Sequence, residues 1–222
     1  MVDKMLSLIA PHHCCGCDKI GSLLCDNCKY NITSESKMVC IACGRPSGHM
    51  CLCNSCRVPY ERAWVVGDRD GVLQRLVGLY KFERAKSAYK NLGDLLLNTL
   101  PELPANAVIV PVPTVAGHIR ERGYDHMLLI AKYVAKARGV ELKQLIKRKT
   151  NTKQRQATAR QRTLQAKQAF VVNERVDTDK PYLLIDDVVT TGATVKYAAK
   201  ALRDAGAKHV WLAVIARQVL DK

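Results

Sequence analysis

Two groups of residues in this chain have types and spacings suited to chemistry. The first is YLLIDDVVTTGATV, residues 182–195. Leu183, Leu184 and Ile185 run into Asp186 and Asp187, and Thr190, Thr191, Gly192, Ala193 and Thr194 follow. Adjacent strand residues point to opposite faces, so the two carboxylates should differ in role. The small residues form a turn into a helix starting near Thr194, whose free N–H groups and positive dipole end favour an anion. Small side chains let a phosphate come close, and threonine hydroxyls add donors. Carboxylates one short loop away accept hydrogen bonds from vicinal hydroxyls. Phosphate donors beside hydroxyl acceptors describe a site for a ribose 5-phosphate. The rival phosphate loops, GxxxxGK[ST] and GxGxxG, are absent. As plain architecture, the same residues would be a strand-to-helix turn with Thr191 or Thr194 as N-cap.

The second group is the cysteines. All ten lie between Cys14 and Cys56, and eight form C-x-x-C pairs: Cys14 with Cys17, Cys25 with Cys28, Cys40 with Cys43, and Cys53 with Cys56. Each pair can turn two sulfurs to one point, and two pairs complete a tetrahedron for zinc. Spacing suggests Cys14, Cys17, Cys25 and Cys28 as one site and Cys40, Cys43, Cys53 and Cys56 as the other. Interleaved pairing stays open, as do one zinc or two, an iron–sulfur cluster, or redox thiols. Four thiolates leave no open position, which argues for structural rather than catalytic metal. Cys15 and Cys51 are left over. His12 and His13 flank the first pair and read as surface residues. So short a segment buries little apolar surface, and metal should supply its folding free energy. It could serve nucleic acid or protein partners, or only brace its neighbour.

The elements that must position these residues begin at Ala63. AWVVG (63–67) reads as a strand, and GVLQRLVGLYKF and AYKNLGDLLLNTL read as helices, the second with Leu92, Leu95, Leu96 and Leu100 on one face before Pro101. AVIVPVP (107–113) is a buried strand. YDHMLLIAKYVAKARG (124–139) is a helix striped by Tyr124, Met127, Leu128, Ala131, Val134 and Ala135, with Gly139 as its stop. PYLLID (181–186) is a strand, residues 194–207 a helix and HVWLAVIA (209–216) a further strand. Alternation of this kind implies a mostly parallel sheet with helices on both faces, and a ligand at the carboxyl ends of its strands. Two loops lie there, PVPTVAGHIRERGY and DDVVTTGAT. The expected organisation is a zinc-ribbon-like domain over residues 1–60 and an α/β domain over 61–222.

Nearly half of the 222 residues are apolar, and the formal net charge is +15. Two zinc sites of four thiolates, each carrying −2, would lower that to about +11. A basic chain of this kind meets phosphate in nucleic acid, a metabolite or an anionic membrane surface. The N-terminus has a very short apolar run and no small-residue cleavage site, and no stretch is long enough to span a bilayer, so a cytoplasmic protein is expected. KRKTNTKQRQATARQR (147–162) has seven basic residues and no acidic ones. It reads as a solvated loop, a cover for pyrophosphate or a contact for a nucleic-acid backbone, though it lacks an aromatic to stack on bases. Arg120 and Arg122, just past the first loop, are better placed for anion contact.

YLLIDDVVTTGATV resembles the phosphoribosyl-pyrophosphate (PRPP) motif of type I phosphoribosyltransferases. Together with the paired cysteines, VPVP (110–113), RERGY (120–124), Gln154, Arg162 and AF (169–170), it resembles the ComF family over almost the whole chain. That resemblance implies a type I phosphoribosyltransferase-like fold with a small flexible hood. Asp186 and Asp187 would hold the ribose hydroxyls, directly or through Mg2+, and Thr190 to Thr194 would cradle the 5-phosphate. The turn from Pro111 through Val112 and Pro113 to Thr114 would be the pyrophosphate loop. The chain departs from the family pattern in two places. Asp125-His126 stands where the family reads Asn-Gln, and Gln165 replaces an asparagine expected after Arg162.

The resemblance also implies a part in DNA uptake during natural transformation, with single-stranded DNA or uptake-machinery proteins such as a helicase as partners and PRPP as ligand or signal. The alternative is an active phosphoribosyltransferase acting on an unidentified nitrogen nucleophile. No catalytic residue is named by the sequence. A vestigial site is opposed by the presence of both aspartates and the full threonine–glycine loop.

Overall fold

The structure is a computed structural model and describes residues 12–34, 39–47, 51–83, 85–148 and 170–218. Its centre is a five-stranded, wholly parallel sheet in the order β1-β7-β6-β2-β3: β1 (Arg62–Asp68), β7 (His209–Arg217), β6 (Pro181–Val189), β2 (Val108–Pro111) and β3 (Glu141–Leu142). β6 and β7 are nine residues each and almost entirely buried, as strands covered on both faces must be. β2 ends where Pro111 and Pro113, lacking N–H groups, stop the ladder; the last bond runs from Val112 N–H to the Ile185 carbonyl, at 2.9 Å. β4 (Ile146–Arg148) and β5 (Phe170–Val172) form a separate antiparallel pair.

One face of the sheet carries α2 (Gly71–Phe82), α3 (Ala88–Thr99) and α5 (His126–Arg138). The other carries α6 (Ala193–Asp204) and the β4–β5 pair. α4 (Ala116–Arg122) is a short helix inside the segment read from sequence as a loop. It ends at Gly123, whose φ of +80° suits a residue without Cβ. α5 begins two residues later than expected, because Asp125 caps it by accepting the N–H groups of Met127 and Leu128 at 3.1 Å. Its buried stripe uses Ile130 in place of Leu128. α6 starts at Ala193, one residue before the expected start, and ends at Asp204, three residues before the expected end.

The cysteine-rich segment does not stand apart from this core. Cys14, Leu24 and Cys28 pack with α2 and α3, whereas Ile41, Cys51 and Tyr60 pack with the α6 face. The two halves of the segment therefore flank β1, the edge strand, from opposite sides. The helix α1 (Asp26–Ser34) reaches α3 through Lys29, which pairs with Asp94 at 3.2 Å. Cys51, a leftover thiol, is buried beside the backbone of Val65 in the edge strand. Among the described residues no helix is long and apolar enough to cross a membrane.

Gly93 shows how tightly α3 and α5 meet. A Cβ there would stand 2.3 Å from the Tyr133 ring, which is itself fixed by its hydroxyl donating to Asp94 at 2.6 Å. A glycine inside a helix costs about 1 kcal/mol relative to alanine, and here close approach accounts for it. Gly93→Ala should therefore destabilise the protein by ~1–3 kcal/mol in chemical denaturation, against the usual gain from alanine in a helix.

Candidate functional site

The chain runs from β2 through α5 to β3 on one side, and from β6 through α6 to β7 on the other. β2 and β6 are neighbours, so the loops that follow them diverge and leave a crevice at their carboxyl ends. A cavity of about 320 Å³ opens there. It is lined by Asp186, Asp187 and Thr194 from the second loop, Val112, Pro113 and Thr114 from the first, and Lys81, Arg122, His126 and Arg148 around them.

β6 extends through Val189, so both aspartates sit in the strand and are only 8% exposed. They face opposite ways, as alternation requires. Asp187 turns toward α2 and α5, where its Oδ2 meets Lys81 Nζ at 2.7 Å and His126 Nε2 at 2.5 Å. Its Oδ1 accepts the Val188 N–H at 2.5 Å. Burial works against its ionisation, yet the His126 hydrogen bond and the Lys81 ammonium hold its carboxyl well below the usual range. Asp186 is placed differently. Burial, and then the charge of Asp187, push its carboxyl well above that range; the Asp187 N–H at 3.0 Å and the more distant Lys81 and Arg148 offset only part of this. The two carboxyls are therefore pushed apart, Asp187 toward its charged form and Asp186 toward its protonated one.

Asp125 and His126, two of the positions that depart from the family pattern, both have a place. Asp125, besides capping α5, accepts the Thr114 hydroxyl at 2.9 Å and ties the first loop to the helix. His126 links Arg122 to Asp187. Arg122 NH1 lies 3.0 Å from Nδ1, and a guanidinium can only donate, so Nδ1 accepts and Nε2–H points to Asp187. Arg122 is further fixed by donating Nε to the Lys81 carbonyl at 2.8 Å.

The threonine loop enters α6 through Gly192, at φ +74°, and no side chain caps the helix. Neither Thr191 nor Thr194 is the N-cap. Thr190, Thr191, Ala193 and Thr194 are exposed, so the hydroxyls and the first N–H groups of α6 stay open to a ligand. Of the remaining expected anion contacts, Arg120 is exposed and does not line the cavity. The basic segment reaches the cavity at Arg148, whose guanidinium stacks on Phe170 at 5.5 Å; Gln154, Arg162, Gln165 and the rest of 149–169 lie outside the described residues.

Sequence reasoning did not find Lys81, and it left His126 without a role. Lys81 reads as a solvated residue in the last turn of an amphipathic helix; only the folded chain brings it to Asp187. Phe82 was also missed. It is 71% exposed at the cavity's edge, beneath the Arg122 guanidinium.

The cysteines form the two expected tetrads. In each, the four sulfurs lie within 4.8 Å of one another, with Cys17–Cys25 at 3.6 Å and Cys43–Cys53 at 3.7 Å. Sulfurs held ~2.3 Å from a tetrahedral zinc stand about 3.8 Å apart, so both tetrads fit that metal. The two sites repeat one local design. Asp18 and Gly44 each follow a C-x-x-C pair with positive φ, and the bridges His13–Ile20 and Val39–Pro46 close both turns. The Arg45 backbone N–H, chiefly, draws the Cys43 thiol down to about 6, which favours the thiolate that metal needs.

A parallel α/β domain with a crevice of this composition, behind a cysteine-rich segment, is the build of a phosphoribosyltransferase-class protein. The family model for the phosphoribosyl transferase domain matches residues 126–220. The competence protein ComFC of Bacillus subtilis is 26% identical over 199 residues, covering 82% of this chain and 79% of its own. The DNA utilization protein YhgH of Salmonella typhi is 29% identical, covering 84% of this chain and 87% of its own. Competence protein F of Haemophilus influenzae is 27% identical, covering 87% and 90%. The chain is thus similar to these ComF-type proteins over most of its length.

Two outcomes are expected here. Metal analysis of the purified protein should find two zinc ions per chain, and chelation should destabilise it by at least ~3 kcal/mol; unchanged stability without metal would show that the tetrads do not support the fold. Asp186→Asn should stabilise the protein. An unfolded aspartate ionises near ~3.9, whereas the folded one keeps its proton, so the native form is penalised increasingly as pH rises above that value. The gain should be near zero at about pH 4, grow upward and reach ~1–3 kcal/mol at about pH 8 in thermal melts.

Proposed function

We propose that the crevice binds PRPP, and that the protein acts in the cytoplasm in DNA uptake, with single-stranded DNA or uptake-machinery proteins as partners. The observation that carries the first part is the pairing of two buried aspartates on β6 with the uncapped, threonine-rich start of α6. On this reading Thr190 to Thr194 take the 5-phosphate, Val112, Pro113, Thr114 and Arg122 face the pyrophosphate, and Asp186 and Asp187 meet the ribose hydroxyls. Mg2+ bound with PRPP would offset phosphate charge beside Asp187. The ligand's hydroxyls or its cation must then replace Lys81 at Asp187, and the released ammonium is free to turn to phosphate. The names of the similar proteins, which speak of competence and DNA utilization, support the second part.

We take residues 1–60 as the zinc-binding unit and 61–222 as the catalytic-type fold, with the first bracing the edge strand of the second. A second reading, transfer of the phosphoribosyl group to a nitrogen base, is favoured by the exposed Phe82 ring at the cavity's mouth, a surface on which a base could stack.

Calorimetric titration with PRPP and Mg2+ tests the site. The zinc-loaded parent should bind, and an Asp186→Asn, Asp187→Asn double variant should lose at least ~100-fold in affinity. No binding by the parent would leave the motif as architecture alone. Pyrophosphate release with a nitrogen base as acceptor would establish the transferase reading.

A further inference from the structure

Away from the crevice, α3 and α5 border a groove of about 600 Å³, lined by Tyr89, Leu129, Lys132, Tyr133, Lys136 and Ala137. Its aromatic rings are held rigidly. Tyr133 is seated on Gly93 and tethered through Asp94, which Lys29 of α1 also holds. Tyr89 meets Tyr133 edge-on, with ring centroids 5.8 Å apart at 79°. Its cations are uncommitted. Lys132 and Lys136 are exposed one helical turn apart, and Lys90 stands 6.0 Å from the Tyr89 ring. None of the three is in an ion pair among the described residues, and no acidic side chain lines the groove.

Cation and ring alternate onward from there. α3 and α5 run parallel: Arg138, at the end of α5, donates to the Leu97 and Leu100 carbonyls at the end of α3. Their first turns therefore lie together toward the crevice. There Lys86 stands 6.0 Å from the Tyr124 ring, and Arg122 stands 6.0 Å from Phe82, which lines the crevice itself. Rings fixed in place cost little entropy when a base stacks on them, and unpaired lysines beside them suit a backbone of phosphates. A duplex keeps its base faces covered and could use only the lysines.

We propose that this groove is a track for single-stranded DNA. Tyr89 and Tyr133 are its stacking platforms, Lys90, Lys132 and Lys136 its phosphate contacts, and it leads the strand past Tyr124 to Phe82 at the mouth of the crevice. The assignment rests on the DNA-uptake reading above and gives it a location, separate from the PRPP site.

The test is fluorescence anisotropy of a labelled thirty-nucleotide oligo-dT on the full, zinc-loaded chain across a salt series. The parent should bind at low salt. Lys132→Gln with Lys136→Gln should weaken binding by ~10-fold and flatten the log–log salt dependence by about 1.4, two phosphate contacts at ~0.7 each. Tyr89→Leu should weaken binding by ~5-fold or more with the salt slope unchanged, and should not affect the weaker binding of a duplex of equal length. PRPP titration and thermal midpoint should stay at the parent's values in both variants. If the parent binds and both variants match it in affinity and slope, the groove is not the track, although DNA binding stands. If Tyr89→Leu has no effect and the lysine pair weakens duplex and single strand alike, the groove is a bare cationic patch and the stacking assignment fails. A parent that binds no oligo-dT at low salt removes the DNA reading and the track together, and leaves the PRPP site to its own test.

Discussion

Two adjacent carboxyls at the end of a buried strand are hard to ionise together without a close cation for each, and this protein pairs a cation directly with only one of them. Asp187 has Lys81 and the His126 N–H; Asp186, on the opposite face, has burial and its neighbour's charge. Much of the surrounding structure serves this asymmetry. α2 must end where Lys81 reaches β6. α5 must begin where His126 does, and Asp125 fixes that start. Arg122 must fold back onto both the Lys81 carbonyl and the imidazole. The short helix α4 and its left-handed Gly123 turn the chain so that Arg122 can do so.

The legible part of the fold was the part set by local pattern. GVLQRLVGLYKF became a helix over the same residues, the two long strands were found, and C-x-x-C spacing gave both tetrads in the expected pairing. Asp186 and Asp187 were found because an apolar run, two acids and a small-residue turn are contiguous. Lys81 and His126 could not be read this way, since they lie 106 and 61 residues from Asp187 and gain meaning only when α2, α5 and β6 converge. Asp125-His126 read as a departure from a familiar pattern, whereas in three dimensions it is a cap and a hydrogen-bond relay. α4 was missed because seven residues give too few turns for periodicity to show. The plain alternative, a threonine as N-cap of α6, is not what forms: a glycine at positive φ makes the turn and leaves the hydroxyls outside it.

The cysteine-rich segment is coupled to the rest of the molecule more closely than its composition suggests. Its two halves flank one edge strand from opposite faces, and its leftover thiol Cys51 lies buried beside that strand. Through Lys29 and Asp94 the same segment reaches the ring of Tyr133. Metal, edge strand and helix packing are thus parts of one connected structure.

The protonated Asp186 has a meaning beyond electrostatics. A buried carboxyl that must hold a proton at neutral pH is a standing handicap, and an asparagine, with nearly the same shape, would remove it by a single replacement. Random substitution in an idle crevice would find that replacement readily, because nothing would oppose it and stability would reward it. An acid in so unfavourable a seat is thus the residue to expect where a ligand such as the one proposed above, rather than the fold, calls for a carboxyl.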